Sequence, residues 1–208
     1  MSNIIAICGA KRSGKDVLAK HLVATRGFKK LSFAEPLKKV VKELFNFNDI
    51  QVGIDEENAV GDEKEIIDER WGISPRKALQ FFGTEIMQHA INELIPNTNK
   101  GFLADILLSR ISGNSCDSYV ISDLRFLHEY NKLKSSTKVR SLIVVKISRP
   151  AVNISEGMRD AHISENEYID IPYDVEIIND GAISDLTDLF DIYYDSREGI
   201  ALIEGANM

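Results

Sequence analysis

Short apolar runs separated by amphipathic stretches recur from one end of the chain to the other. Runs rich in Ile, Val, Leu and aromatic side chains lie at 4–8, 30–33, 119–122, 142–147 and 175–178. None alternates cleanly between apolar and polar positions, which is how parallel strands buried on both faces read. Between them, apolar residues recur at helical spacing over 15–25, 36–45, 75–94, 102–111 and 127–133, and again from Ser184 through Leu186, Leu189 and Phe190. Strand alternating with helix predicts an α/β chain with a mostly parallel five-stranded sheet and helices on both faces. Ser74 before Pro75 marks the start of one of these helices.

Two stretches fit neither period. Residues 51–70 are acidic and polar, and read as a solvated insertion between helices. Residues 149–172 are irregular and lie between two predicted strands, where a mobile cover over a site belongs. The organisation expected is a single domain over 1–208, with a core of about 1–50, 74–148 and 173–198, the acidic insertion, and the cover. The last residues, 199–208, are expected to fray.

Composition narrows the class. At 208 residues, 44% hydrophobic and 27% charged, the chain can bury one sizeable core. A net charge of −7 argues against a general nucleic-acid-binding surface, so an anionic ligand needs a local cluster of cations. Cys8 and Cys116 border apolar runs and read as buried thiols, with neither a disulfide framework nor a Cys-based zinc site. No apolar run is long enough to span a bilayer, and a cytoplasmic setting is expected.

The candidate chemistry begins at Gly9-Ala10-Lys11-Arg12-Ser13-Gly14-Lys15-Asp16, between the first strand and the first helix. The spacing alone arises by chance in roughly one chain of this length in twenty. The strand–loop–helix context carries the reading: loop N–H groups and a helix N-terminus make a phosphate cradle, and Lys15 reaches the outer phosphates. The residue after the Lys is Asp16, where Ser or Thr is usual. A carboxylate there is tolerable if a Mg2+ ion lies between it and the phosphates, directly or through water, or if it only answers the helix dipole.

The run Tyr119-Val120-Ile121-Ser122-Asp123-Leu124-Arg125 ends a buried strand in an acid and an arginine. Ligands of open parallel sheets bind at the carboxyl ends of the strands. Asp123 is therefore a candidate to hold Mg2+ or to orient Lys15, and Arg125 to clamp a phosphate; the alternative is an N-cap and a solvated Arg. Arg76, Gln80 and Thr84 recur at four-residue spacing and share a helix face if the helix runs through Gly83. They suit a phosphate, a base edge and a sugar or base oxygen, or are a plain polar stripe. Glu35 could pair with a cation, and Lys38 could meet an acceptor phosphate. In the cover, Arg149, Arg159, His162 and Glu165 are the candidates to close over a transferring group.

These residues together resemble the deoxynucleoside monophosphate kinases of large bacteriophages. The resemblance rests on the loop at 9–16, Ala34-Glu35-Pro36-Leu37-Lys38, Pro75-Arg76-Lys77-Ala78-Leu79-Gln80 with Gly83-Thr84, Ser122-Asp123-Leu124-Arg125, His162-Ile163-Ser164-Glu165 and Ile178-Asn179-Asp180-Gly181. It implies a three-layer P-loop NTPase fold with an acceptor region and a lid, ATP as donor, Mg2+ as metal, and a deoxynucleoside monophosphate as acceptor. Arg12, Ser13, Gly14, Lys15, Asp16 and Val17 would meet ATP. Lys11, Lys38, Arg76, Gln80, Thr84 and Arg125 would surround the acceptor. Lys15, Arg12, Asp123 and Arg125 would carry catalysis, and Asp16 and Asp123 the metal. The partners implied are small molecules, not nucleic acid or membrane, and a homodimer is compatible with the resemblance. A phosphomevalonate kinase-like phosphoryl transfer is the nearest alternative. A nucleotide-binding regulator without turnover is another, although the Asn-Lys-x-Asp of guanine switches is absent.

Overall fold

The computed structural model describes residues 1–55, 58, 61–112, 117–150 and 167–205. Five strands form the middle layer: β1 (Ser2–Cys8), β2 (Lys29–Leu31), β3 (Ser118–Ile121), β4 (Val139–Ser148) and β5 (Val175–Ile178). All pairings are parallel, in the order β2-β3-β1-β4-β5. The helices are α1 (Lys15–Arg26), α2 (Glu35–Phe45), α3 (Asp49–Val52), α4 (Pro75–Phe81), α5 (Ile91–Leu94), α6 (Phe102–Arg110), α7 (Leu127–Ser135) and α8 (Ile183–Gly205).

β1 takes the centre because its side chains from Ile4 to Cys8 are all buried. Ile4, Ala6 and Cys8 enter one core with Leu107 of α6 and Leu133 of α7. Ile5 and Ile7 enter the other with Leu18 and Leu22 of α1 and Leu186 and Phe190 of α8. At about 1.5–3 kcal/mol per fully buried large aliphatic side chain, these two faces hold the three layers together. A third, smaller core joins α2, α3 and α4 through Leu37, Val41, Phe47, Val52 and Ala78. It makes a wing beside the sheet, not a continuation of its faces.

The predicted elements are all present, with shifted ends. β2 stops at Leu31 instead of running to residue 33, because the Phe33 and Ala34 N–H groups donate to Asp123 and not to a strand ladder. β4 starts earlier than its apolar run, at Val139, since that end pairs with Ser2 by backbone alone. The helix predicted over 75–94 is continuous, but its turns widen to π geometry across Phe82–Ala90, between α4 and α5. Ser74 caps its start, accepting from the Lys77 N–H.

The acidic stretch is not merely a solvated insertion. α3 opens it with a reciprocal cap, in which Asn48 and Gln51 each accept from the other's backbone N–H. A 3-10 turn follows at Glu63–Glu65, and Asp68 bridges to Ile73. At the other end of the chain, α8 continues to Gly205, where fraying was expected. Among the described residues no helix is long and apolar enough to cross a membrane.

Candidate active site

The carboxyl ends of β1 and β3 open onto one cleft of about 1270 Å³. This is where the strand order reverses, and open parallel sheets place their ligand sites there. The loop after β1 turns on positive φ angles at Gly9 (138°), Arg12 (62°) and Gly14 (113°). A Cβ on Gly9 would stand 2.2 Å from the Ile147 carbonyl oxygen, so only glycine passes beneath β4 at that point. Behind the loop, the buried Asn179 amide at the end of β5 donates to the Ser13 carbonyl at 2.8 Å. Ser13 itself is fully buried and does not line the cleft, so its contribution to a ligand is through the backbone.

Lys15 lines the cleft and curls back, its Nζ donating to the Gly9 and Ala10 carbonyls at 2.9 and 2.5 Å. Burial, and next the Arg125 charge, lower its pKa to about 8. An ammonium so poorly solvated gains from any phosphate that replaces the two carbonyls. Asp123 does not orient it. The Asp123 carboxylate accepts from Ser32 Oγ at 2.7 Å, Ala34 N at 2.9 Å and Phe33 N at 3.0 Å. Both oxygens are engaged in holding the turn between β2 and α2. These bonds give Asp123 a task as an anchor of that turn, beside the expected role toward Mg2+, directly or through water. Asp123 is not an N-cap: the entry to α7 is closed by Glu129, whose Oε2 accepts from the Arg125 and Phe126 N–H groups. Burial raises the Glu129 pKa to about 8, so it is mostly a neutral acid at neutral pH.

Asp16 fits a cation better. Its Oδ1 accepts from Lys30 Nζ and from Ser122 Oγ, each at 2.8 Å, and no described residue is bonded to Oδ2. Burial acts to raise its pKa, but Lys30, Ser122 and Lys15 outweigh it and hold the carboxyl below its usual range. No group of three or more metal-ligating side chains occurs among the described residues.

The helical face forms the far wall. Arg76, Gln80, Gly83, Thr84 and Gln88 all line the cleft, so the expected row exists and extends one position further than the sequence reading took it. Its cations are not bare. Lys11 Nζ lies 2.7 Å from Asp62 and 3.3 Å from Glu65, Arg12 lies 3.3 Å from Asp62, and Arg76 contacts both acids. Burial acts to raise the Asp62 pKa, and Lys11, Arg76 and Arg12 reverse it to a net lowering. The acidic segment thus lies across Lys11 and Arg76, expected at the acceptor, and across Arg12, expected at ATP. Lys38 lines the cleft too and donates to the Gly53 carbonyl at 2.6 Å. Glu35 does pair with cations, Arg110 at 2.8 Å and Lys39 at 2.5 Å. Arg125 and Arg149 reach the cleft without an ion-pair partner among the described residues. Val17 also borders it. Arg159, His162, Glu165 and Cys116 lie outside the described residues; Cys8 is buried, as expected.

Sequence reading missed Lys30, Ser32, Asp62, Glu65, Ser122, Glu129, Gln88 and Asn179 as members of the site. Gln88 had a usable signal in the continuation of the four-residue row, and Ser122 and Asn179 lay within blocks that carry the family resemblance.

Known proteins resemble this chain over most of its length. A family model described as deoxynucleotide monophosphate kinase matches residues 48–189, a stretch that begins after the phosphate loop. The "Putative deoxynucleotide monophosphate kinase" of Acanthamoeba polyphaga mimivirus is 33% identical over 192 residues, covering 88% of this chain and 91% of that protein. Among solved structures, dephospho-CoA kinase from Campylobacter jejuni aligns over 100% of both chains at 14% identity, with a TM-score of 0.44. Shikimate kinase from Aquifex aeolicus vf5 aligns over 96% of this chain and 98% of its own at 16% identity, with a TM-score of 0.42. The family model covers well over half of the sequence and the viral relative most of it, and the chain belongs to the deoxynucleotide monophosphate kinase family.

Proposed function

We propose that the protein transfers the terminal phosphoryl group of ATP to a deoxynucleoside monophosphate, giving ADP and a deoxynucleoside diphosphate for nucleotide biosynthesis in the cytoplasm. The observation that carries this reading is the continuity of the cleft. One wall is the phosphate loop with Lys15 and Asp16, the other is the row from Arg76 to Thr84, and Arg125 lines the cleft with both.

In this reading the loop amides and Lys15 hold the donor phosphates, with Arg12, Gly14 and Val17 bordering them. Lys15 leaves the Gly9 and Ala10 carbonyls as it does so. Lys11, Arg76 and Arg125 align the acceptor phosphate for in-line attack, with Lys38 beside them, and Gln80 and Thr84 face the nucleoside. Lys11 and Arg76 exchange Asp62 and Glu65 for phosphate oxygens on binding. The acceptor phosphate is already largely ionised at neutral pH, so no strong general base is needed. Positioning and charge stabilisation do the work. Asp16 is the residue suited to Mg2+ through Oδ2, and the ion would supply positive charge against the phosphates. Arg149 and the remaining lid candidates would close the cleft against water.

The test is ADP release, coupled to a spectrophotometric readout, with a panel of deoxynucleoside monophosphates. Turnover that depends on one of them and falls by orders of magnitude in a folded Lys15→Ala variant is expected. ADP release indifferent to every monophosphate would overturn the assignment. Thermal shifts with dGMP or dTMP against phosphomevalonate separate the nucleotide acceptor from its nearest alternative.

A further inference from the structure

The row on the far wall ends in a side chain with no evident structural task. Gln88 is largely buried and lines the cleft, and no hydrogen bond joins its amide to another described residue. Its amide atoms are not among the buried polar atoms that lack a partner, so they open on the cleft, where a ligand can meet them. The π segment that carries it packs against α2 and α6, and Leu37 and Leu103 from those helices border the same cleft. Gly83 permits that closeness, since a Cβ there would meet Leu37 Cδ2 at 3.1 Å.

The widened helix accounts for the alignment. In a regular α-helix, positions four apart advance by about 40° around the axis, so a row of three such steps drifts off its face. A π turn is longer, and rotates less per residue. Because the π geometry spans Phe82–Ala90, the row is straightened and Gln88 stays in line with Gln80 and Thr84. The row also has a direction. Arg76 shares Asp62 and Glu65 with Lys11 at the phosphate end, and Gln88 stands at the opposite end. A mononucleotide laid along it, phosphate among the cations, brings its base to the Gln88 end.

We propose that Gln88 is a specificity-determining residue that reads the polar edge of the acceptor's nucleobase. This rests on the monophosphate-acceptor reading above. A primary amide offers two donors and an acceptor side by side, and every nucleobase has an edge that pairs with such a set. A carboxylate in the same place only accepts. It favours edges that present donors, as the N1–H and N2–H of guanine do, and disfavours those presenting mainly carbonyls, as in thymine.

The experiment measures kcat/KM for the four deoxynucleoside monophosphates with wild type, Gln88→Leu and Gln88→Glu, alongside KM for ATP and thermal melts. Gln88→Leu should lower kcat/KM for the preferred acceptor by about tenfold to a hundredfold, the size of one or two lost buried hydrogen bonds, and flatten the ranking of bases. KM for ATP should hold, and the melting temperature should stay level, because no hydrogen bond to another described residue is lost. Gln88→Glu should move the ranking toward dGMP and away from dTMP. An unaltered ranking and acceptor KM in both variants, with wild type active, overturns this inference alone. Inactivity of wild type with every monophosphate overturns the acceptor reading and this one with it. Failure of both Gln88→Leu and Gln88→Met to fold also overturns it, since the amide would then be structural.

Discussion

Replacing Asp123 by alanine tests whether the acid at the end of β3 anchors a turn or meets the metal. Truncation removes the acceptor of three hydrogen bonds, from Ser32 Oγ, Phe33 N and Ala34 N. All three are partly buried and charge-assisted. A donor stranded in this way costs about 1–2 kcal/mol, less whatever entering water restores, so the expected loss is about 3 kcal/mol. For a chain of this size that lowers the melting temperature by roughly 6–12 °C. The same turn starts α2 and carries Glu35 and Lys38 into the cleft, so acceptor KM should rise about tenfold with little change in KM for ATP. Asp123→Asn should lose nearly as much, because the amide nitrogen then faces donors. Urea unfolding, followed by kinetics at several Mg2+ concentrations, separates the outcomes. An unaltered unfolding midpoint and acceptor KM, with a raised Mg2+ requirement, would refute the anchor and leave Asp123 with the metal alone.

Lys15→Met should abolish turnover yet stabilise the fold. With its pKa at about 8 against an ordinary 10.5, Lys15 costs up to about 3 kcal/mol below pH 8, and that cost fades as pH rises to 10.5. Urea midpoints at pH 7 and 10.5 check it, and a variant less stable than wild type at pH 7 would contradict the account. Glu129 titrates at about 8 in the fold against 4.5 ordinarily, so the folded chain binds the extra proton between those values and stability declines as pH rises through them. Glu129→Gln should flatten that decline, measured as unfolding midpoints at pH 5 and 8; an unchanged slope counts against it. Gly14→Ala should cost at least 2 kcal/mol in thermal or urea unfolding, since φ is 113° and the new Cβ would meet Asn179 Nδ2 at 2.7 Å and Leu186 Cδ2 at 2.9 Å. A neutral result there would mean the loop is looser than described.

Much of the architecture was legible because its causes are local. β1 is an unbroken apolar run with nothing but core on either face, and the glycines of the loop sit where φ must be positive. What escaped was set by distant partners. The three donors to Asp123 lie some ninety residues away in sequence, and no spacing rule points to them. Asp62 and Glu65 read as solvated charge because their cations come from the first loop, about fifty residues earlier, and from Arg76. The row on the helix was legible through its four-residue period, but π turns leave no signature in hydrophobic periodicity. The reason for Gln88's place in line therefore came only with the backbone.

The carboxylates lying across Lys11, Arg12 and Arg76 also govern how the site responds to ionic strength. A bare basic pocket gathers mobile anions, and a phosphate must displace them, so its affinity falls steeply with added salt. Here the counter-charges are covalently part of the chain, and an incoming phosphate trades places with Asp62 and Glu65. Few dissolved ions change hands. If the acceptor binds as proposed, its KM should depend only weakly on salt, and kinetics across a range of ionic strength would check it.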